Sequence, residues 1–270
     1  MITQNKTIAV LDSGVGGLSI FETISKSLPE LSIVYACDNK NFPYGTKSQE
    51  KVLQCISELA KNVISQFSPS LLVIACNTAS TIALDSLRKT ISIPIVGVVP
   101  AIKPAASISK TRVIGLLATP GTVQRPYTDQ LVKDHAAHCL VIKVGSTKLV
   151  EMAEDKLRGI SCNLETLRAE LSPFFPEGKH SPIDTIVLGC THFPLLLEEL
   201  KNVIPKKVTW LDSSQAIAQR VATLVSPHTS CSKILTAVFT EMNNEARALI
   251  PYLTQLGFSE FTEITKVSEI

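Results

Sequence analysis

Residues 71–78 read LLVIACNT. Four apolar residues, a small one, a cysteine and then two polar side chains describe a short strand buried on both faces that runs into a helix start. The same kind of run recurs in TIAVL before Asp12, SIVYA before Cys37, PIVGVV near residue 96, RVIGLLA before Thr119, CLVIKV near residue 142, DTIVLG before Cys190, VTWL before Asp212 and ILTAVF near residue 237. Helix-length stretches lie between the runs, clearest over 48–67 and 195–203. Continuous apolar strands spaced by helices predict an α/β fold with a mainly parallel sheet covered on both faces.

The octapeptide has an echo. Residues 185–192 read TIVLGCTH, again an apolar strand, one small residue, a cysteine and a threonine within two positions, and LDSG at 11–14 is answered by LLATPG at 116–121. Two related α/β halves would bring both cysteines to one cleft, because ligands in such sheets bind beyond the carboxyl ends of the strands.

Bulk properties narrow the class. A chain of 270 residues with 45% hydrophobic, 19% charged and 5% aromatic residues has the composition of a soluble globular protein of one large or two medium domains. A net charge of +2 gives no pull toward nucleic acid or an anionic membrane. No apolar run approaches the ~20 residues that cross a bilayer, and the apolar stretch before Asp12 is too short for a signal-peptide core. A cytoplasmic protein is expected. Seven cysteines (Cys37, Cys55, Cys76, Cys139, Cys162, Cys190, Cys231), odd in number and without a CxxC pair, argue against a disulfide framework and against a zinc site. GVGG at 14–17 lacks the spacing of a dinucleotide fingerprint, which would need glycine where Ser19 stands; backbone N–H groups there, with Ser13, suit a carboxylate.

Free thiols are usually small core residues. A cysteine at the junction of a buried strand and a helix, however, sits near unpaired backbone N–H groups and the positive end of the helix dipole, which favours thiolate. Cys76 and Cys190 share that context. Cys37 also ends a strand but precedes Asp38 and has no matching repeat, and Cys55, Cys139, Cys162 and Cys231 read as structural.

On these residues the chain is similar to a known family. The segments LDSGVGGLSIF (11–21), PYGTKS (43–48), ACNTASTIAL (75–84), GLLATPGTV (115–123) and GCTHFPLL (189–196) resemble the ordered signature blocks of the glutamate racemases, within the aspartate/glutamate racemase superfamily. His192 resembles the glutamate branch, whereas relatives acting on aspartate carry Glu there. The resemblance implies two pseudo-symmetric α/β domains, 1–97 with 208–270 carrying Cys76 and 98–207 carrying Cys190, with the active site in the cleft between them. It implies no cofactor and no metal, and racemisation of L-glutamate to D-glutamate for peptidoglycan, hence cell-wall biogenesis and cell shape. The partners it implies are L- or D-glutamate, with no nucleic acid and no membrane, and it is compatible with a homodimer.

The same resemblance assigns the site. Cys76, assisted by Asp12, acts on D-glutamate and Cys190, assisted by His192, acts on L-glutamate. Asp12, Ser13, Tyr44, Gly45, Asn77, Thr78, Thr119, Thr191 and His192 contact the substrate, with Thr122 nearby. Glu154 supports His192, with Glu151 one turn away as the fallback. Each has an ordinary explanation too: Asp12 as a turn residue, Asn77, Thr78 and Thr191 as helix caps, Tyr44 as a packed turn tyrosine, His192 as a structural histidine, the glutamates as a solvated helix face. Pro126 stands where related sequences carry Ser, removing a hydroxyl. Few residues precede the first strand, so no added segment for regulation by cell-wall precursors is expected. The other readings are a racemase or decarboxylase of the same superfamily acting on another small acid, and a two-lobed amino-acid binding protein.

Overall fold

The computed structural model of the chain describes residues 7–175, 182–204, 207–225 and 233–265; Cys231 lies outside them. The strands are β1 (Ile8–Asp12), β2 (Ile33–Cys37), β3 (Leu71–Ile74), β4 (Ile95–Gly97), β5 (Val113–Ala118), β6 (Leu140–Gly145), β7 (Thr185–Leu188), β8 (Thr209–Leu211), β9 (Leu235–Phe239) and β10 (Glu260–Glu263). The helices are α1 (Leu18–Ser27), α2 (Gln49–Phe67), α3 (Asn77–Thr90), α4 (Ile102–Ile108), α5 (Pro120–Val123), α6 (Pro126–His135), α7 (Lys148–Leu157), α8 (Leu164–Leu171), α9 (Leu197–Val203), α10 (Ser214–Leu224) and α11 (Asn244–Gln255).

The chain forms two compact units, one of residues 1–98 with 214–270 and one of residues 99–213. The first holds a six-stranded sheet in the order β10-β9-β2-β1-β3-β4 and the second a four-stranded sheet in the order β6-β5-β7-β8. Every strand pair is parallel. The order β2-β1-β3-β4 recurs as β6-β5-β7-β8, so the sequence echo extends to topology. In each unit the candidate cysteine follows the strand hydrogen-bonded to the opening one, β3 beside β1 and β7 beside β5.

The central strands have no exposed face. Ile8, Leu11, Leu72, Ile74, Ile114, Leu116, Ile186 and Val187 are all 0% exposed, and each such side chain contributes roughly 1.5–3 kcal/mol by leaving water. In the first unit Ala9, Leu11, Val34, Ala36, Leu72 and Ile74 pack against Val52, Ile56, Leu59 and Val63 of α2 and Ala79, Ala83 and Leu87 of α3. Tyr35 points to the other face, where its ring meets Phe21 of α1 at 6.5 Å and Phe258 at 6.3 Å between centroids. This is the two-sided burial that unbroken apolar strands predict.

Three expectations change. Thr209–Leu211, placed by the sequence reading in the segment that returns to the first domain, instead pairs with β7. The return begins at Ser214, because a strand so short gains more from completing the second sheet than from a loop. β10 was not foreseen: EFTE is polar, and as an edge strand with three of its four residues exposed it needs no apolar run. The helix expected over 195–203 is a 3₁₀ turn (Phe193–Leu196) followed by α9 from Leu197, with Pro194 inside the turn.

Candidate active site

In the first unit the register Leu11↔Ile74 sets the end of β1 level with Ala75 and brings the turn after β1 to Cys76. Cys76 is the N-cap residue of the fourteen-residue α3, with extended backbone, and is 6% exposed. Its sulfur thus lies at a helix N-terminus, as its sequence context predicts. Ser13 Oγ is 3.9 Å from Cys76 Sγ and 3.4 Å from Asp12 Oδ1. Asp12, 0% exposed, accepts hydrogen bonds from Ser13 N at 2.6 Å and Gly17 N at 2.5 Å. The Ser13 and Gly17 N–H groups, expected to face a ligand carboxylate, therefore serve the protein's own carboxylate. Gly17 is required by space: a Cβ there would stand 3.0 Å from both Asp12 Cβ and Ala75 Cβ.

Asn77 and Thr78 are buried in the first turn of α3, and no side chain caps that helix. Capping does not account for Asn77. Its Nδ2, wholly buried, has no hydrogen-bond partner in the protein, a cost that a bound acceptor such as a carboxylate would remove. Tyr44 sits in a 3₁₀ turn (Tyr44–Thr46), 1% exposed, with its hydroxyl donating to Asp38 Oδ2 at 2.5 Å. Burial and the Asp38 carboxylate hold the phenol well above its usual range. The Tyr44 hydroxyl is therefore committed to Asp38. Asp38 also accepts from Asn41 Nδ2 at 3.0 Å and Thr240 Oγ1 at 2.9 Å; its place just after the strand that ends at Cys37 was the only sequence signal for it.

In the second unit Cys190, 6% exposed, follows β7 by two residues. No α-helix begins at Thr191; α9 starts only at Leu197. The helix-dipole argument therefore fails for Cys190, and a different device stands in its place. His192, 3% exposed, places Nδ1 at 3.8 Å from Cys190 Sγ and Nε2 at 2.9 Å from Glu154 Oε1 on α7. Burial alone would keep the imidazole neutral, but its hydrogen bonds to Cys190 and Glu154, and the charges of both, raise its pKa well above the usual histidine value. Glu151 instead pairs with Lys148 at 3.2 Å, both half exposed, so Glu154 is the acidic partner. Lys156 Nζ donates to Leu195 O and Glu199 at 2.8 Å, tying the turn after His192 to α7.

Thr119 and Thr122 close the end of β5, neighbour of β7, with hydroxyls 3.0 Å apart; Thr119 also accepts from Thr122 N as the N-cap of α5. Thr191 is 5% exposed beside Cys190. Pro126 is the first residue of α6, where its missing N–H costs nothing. Each unit thus carries one thiol beside its own polar group, Ser13 and through it Asp12 in one, His192 and through it Glu154 in the other. Cys37, Cys55, Cys139 and Cys162 form no disulfide. Among the described residues no three His, Cys, Asp or Glu side chains are grouped to hold a metal ion, and no helix is long and apolar enough to cross a membrane.

The sequence profile described as Asp/Glu/Hydantoin racemase matches residues 15–221. Glutamate racemase of Pectobacterium atrosepticum is 45% identical over 267 residues, covering 97% of this chain and 93% of the relative. That of Salmonella gallinarum is 46% identical over 263 residues, covering 96% and 92%. The crystal structure of Escherichia coli glutamate racemase in complex with L-glutamate and the activator UDP-MurNAc-ala superposes with a TM-score of 0.92 at 42% identity, covering 98% of this chain and all of that one. The chain belongs to the Asp/Glu/hydantoin racemase family and, within it, to the glutamate racemases.

Proposed function

We propose that the chain interconverts L- and D-glutamate without a cofactor, with Cys76 and Cys190 acting as acid and base on opposite faces of the α-carbon. The observation that carries the reading is the pair of thiols, each at the carboxyl end of the equivalent strand of its unit, one beside the Ser13 hydroxyl that leads to Asp12 and the other beside His192. Racemisation needs a proton taken from one face and another returned to the opposite face; a single base would have to travel around the carbon, while two opposed bases stay in place. Cys190 as thiolate takes the α-proton of L-glutamate and Cys76 as thiol delivers one from the other side; the reverse turnover exchanges the roles. His192 donates to the Cys190 thiolate as imidazolium and accepts its proton as imidazole, while Asp12, next to Ser13, serves Cys76.

The α-carbon is a much weaker acid than a thiol, and each pKa unit of that mismatch costs about 1.4 kcal/mol. Preorganised donors must therefore hold the developing charge. The unpartnered Asn77 amide and the start of α3 suit the substrate carboxylate next to Cys76, and Thr119 and Thr191 supply hydroxyls near Cys190. The product would feed peptidoglycan synthesis in the cytoplasm. Proton NMR of L-glutamate in heavy water with the purified protein is expected to show loss of the α-hydrogen signal together with decay of optical rotation to zero. Full retention of both in an enzyme with unmodified thiols would reject the reading.

A further inference from the structure

We infer that Arg158 is a positioning residue for the Cys190 half of the reaction, acting through Glu154; the inference rests on the two-thiol reading above. Glu154 divides its carboxylate, with Oε1 on His192 Nε2 at 2.9 Å and Oε2 accepting from Arg158 Nη2 at 3.0 Å. Arg158 follows Glu154 by four residues at the end of α7, so the two side chains share one helix face. The side chains are 5% and 17% exposed, which distinguishes the contact from surface ion pairs that contribute little. Arg158, Glu154, His192 and Cys190 thus form one chain of contacts from the rim of the second unit to the sulfur, at 3.0, 2.9 and 3.8 Å.

Each link has a consequence. A buried carboxylate that loses its cation takes up a proton more readily, and a protonated Glu154 no longer stabilises the imidazolium of His192. The Cys190 thiolate then loses the charged donor that stands in for the helix N-terminus it lacks. The guanidinium also holds Glu154 Oε2 through a single hydrogen bond from Nη2, leaving Oε1 to the ring of His192. Cys76 depends on Asp12, Ser13 and α3, none of which Arg158 contacts through this chain.

Enantiomers have equal free energy, so kcat/KM for the two directions of racemisation stays equal in any variant, and racemase rates cannot tell the two halves apart. Elimination can. A 3-chloro analogue of glutamate needs only removal of its α-proton; the C–H electrons form the C=C bond as chloride leaves, and no second thiol is required. The L-analogue reports Cys190 and the D-analogue reports Cys76.

The experiment measures kcat/KM for elimination from both analogues, across pH, in the wild type, R158Q, R158K, E154Q and the R158Q/E154Q double variant. Removing a partner that orients a functional histidine lowers function about 10–100-fold, as measured for metal-binding histidines. R158Q is expected to lose about tenfold or more with the L-analogue, with its acidic limb moved to higher pH, and less than about twofold with the D-analogue. R158K, which keeps the charge, should recover most of the loss even if R158Q folds poorly. The double variant should be no worse than E154Q, since both changes cut the same chain. Equal losses with the two analogues, or no loss with the L-analogue, would overturn the role of Arg158 while leaving the two-thiol reading intact. A wild type that eliminates from neither analogue would instead remove the reading on which the inference rests.

Discussion

Gly17→Ala tests how the Asp12 carboxylate is held. Gly17 has φ −61° and ψ −10° at the N-cap of α1, a backbone open to any residue, so helix propensity alone predicts a neutral or slightly stabilising change. Space predicts the opposite. The added methyl would meet Ala75 Cβ and Asp12 Cβ at 3.0 Å and the Tyr35 hydroxyl at 3.1 Å; that hydroxyl donates to Gly14 O at 2.7 Å. Two of the three contacts are with Cβ atoms fixed to the backbone, on the last residue of β1 and the residue after β3, which cannot swing away. Overpacking of this kind costs about 1–3 kcal/mol, and any relief moves Asp12 relative to Cys76. Urea unfolding should show an unfolding free energy lowered by that amount, with elimination from the D-analogue reduced more than elimination from the L-analogue. Gly257→Ala is the control: φ is +93° and the nearest atom, Leu235 Cδ1, lies at an ordinary 3.5 Å, so it should lose about 1–2 kcal/mol from backbone strain alone with both activities unchanged. A Gly17→Ala variant as stable and as active as the wild type would refute the steric account.

Three further outcomes are expected. Asp184 is partly buried, which raises its pKa, but hydrogen bonds from Ser109 Oγ, the N–H groups of Thr111 and Lys110, and the Thr185 hydroxyl outweigh this and hold it at about 2. Its folded value lies below the unfolded one, so its stabilisation is complete above about pH 4 and is lost as pH falls toward 2; Asp184→Asn should cost about 1 kcal/mol at pH 7 after solvent screening and flatten that acid limb in urea melts. Ser80 joins α3 to β3 and to the residue after β4, donating to Ile74 O at 3.0 Å and accepting from Val98 N at 3.0 Å; Val98 N keeps Ile74 O at 3.2 Å, so Ser80→Ala removes two hydrogen bonds without orphaning that N–H and should lower stability by about 1 kcal/mol in the same assay. Asn77→Ala removes an amide without a protein partner on Nδ2 and should change stability by less than about 1 kcal/mol while raising KM roughly tenfold, the reverse of what a capping role would give.

The sequence carried the fold wherever burial was complete on both faces, because only then does an apolar run mark a strand without ambiguity. β4, β5, β6 and β8 are only partly buried and were read from their apolar letters, whereas β1, β2, β3, β7 and β9, buried throughout, met that condition. β10 did not, since EFTE pairs on one side only and keeps its side chains in water. The site was legible where chemistry and backbone coincide: Cys76 and Asp12 end strands, and strand ends can be read from a run of apolar letters. Cys190 was legible as a position and not as an environment, because whether a helix or a 3₁₀ turn follows depends on Pro194 and on the tie from Lys156 to Leu195 and Glu199. Contacts between residues far apart in sequence, such as Glu154 with His192, have no periodicity to reveal them, and resemblance to a family was what singled out Glu154. Asp38 shows the limit most plainly: one carboxylate holds Tyr44, Asn41 and Thr240, the last about two hundred residues away in the chain.

The division of labour between the thiols is the central claim, and the pair Cys76→Ser and Cys190→Ser tests it most directly on the two 3-chloro analogues. Both variants should lose glutamate racemisation almost entirely and keep their fold, since the exchange removes little buried apolar area and costs about 1 kcal/mol. Cys190→Ser should still eliminate from the D-analogue through Cys76, and Cys76→Ser from the L-analogue through Cys190. Wild-type racemisation in either single variant would contradict the two-thiol account.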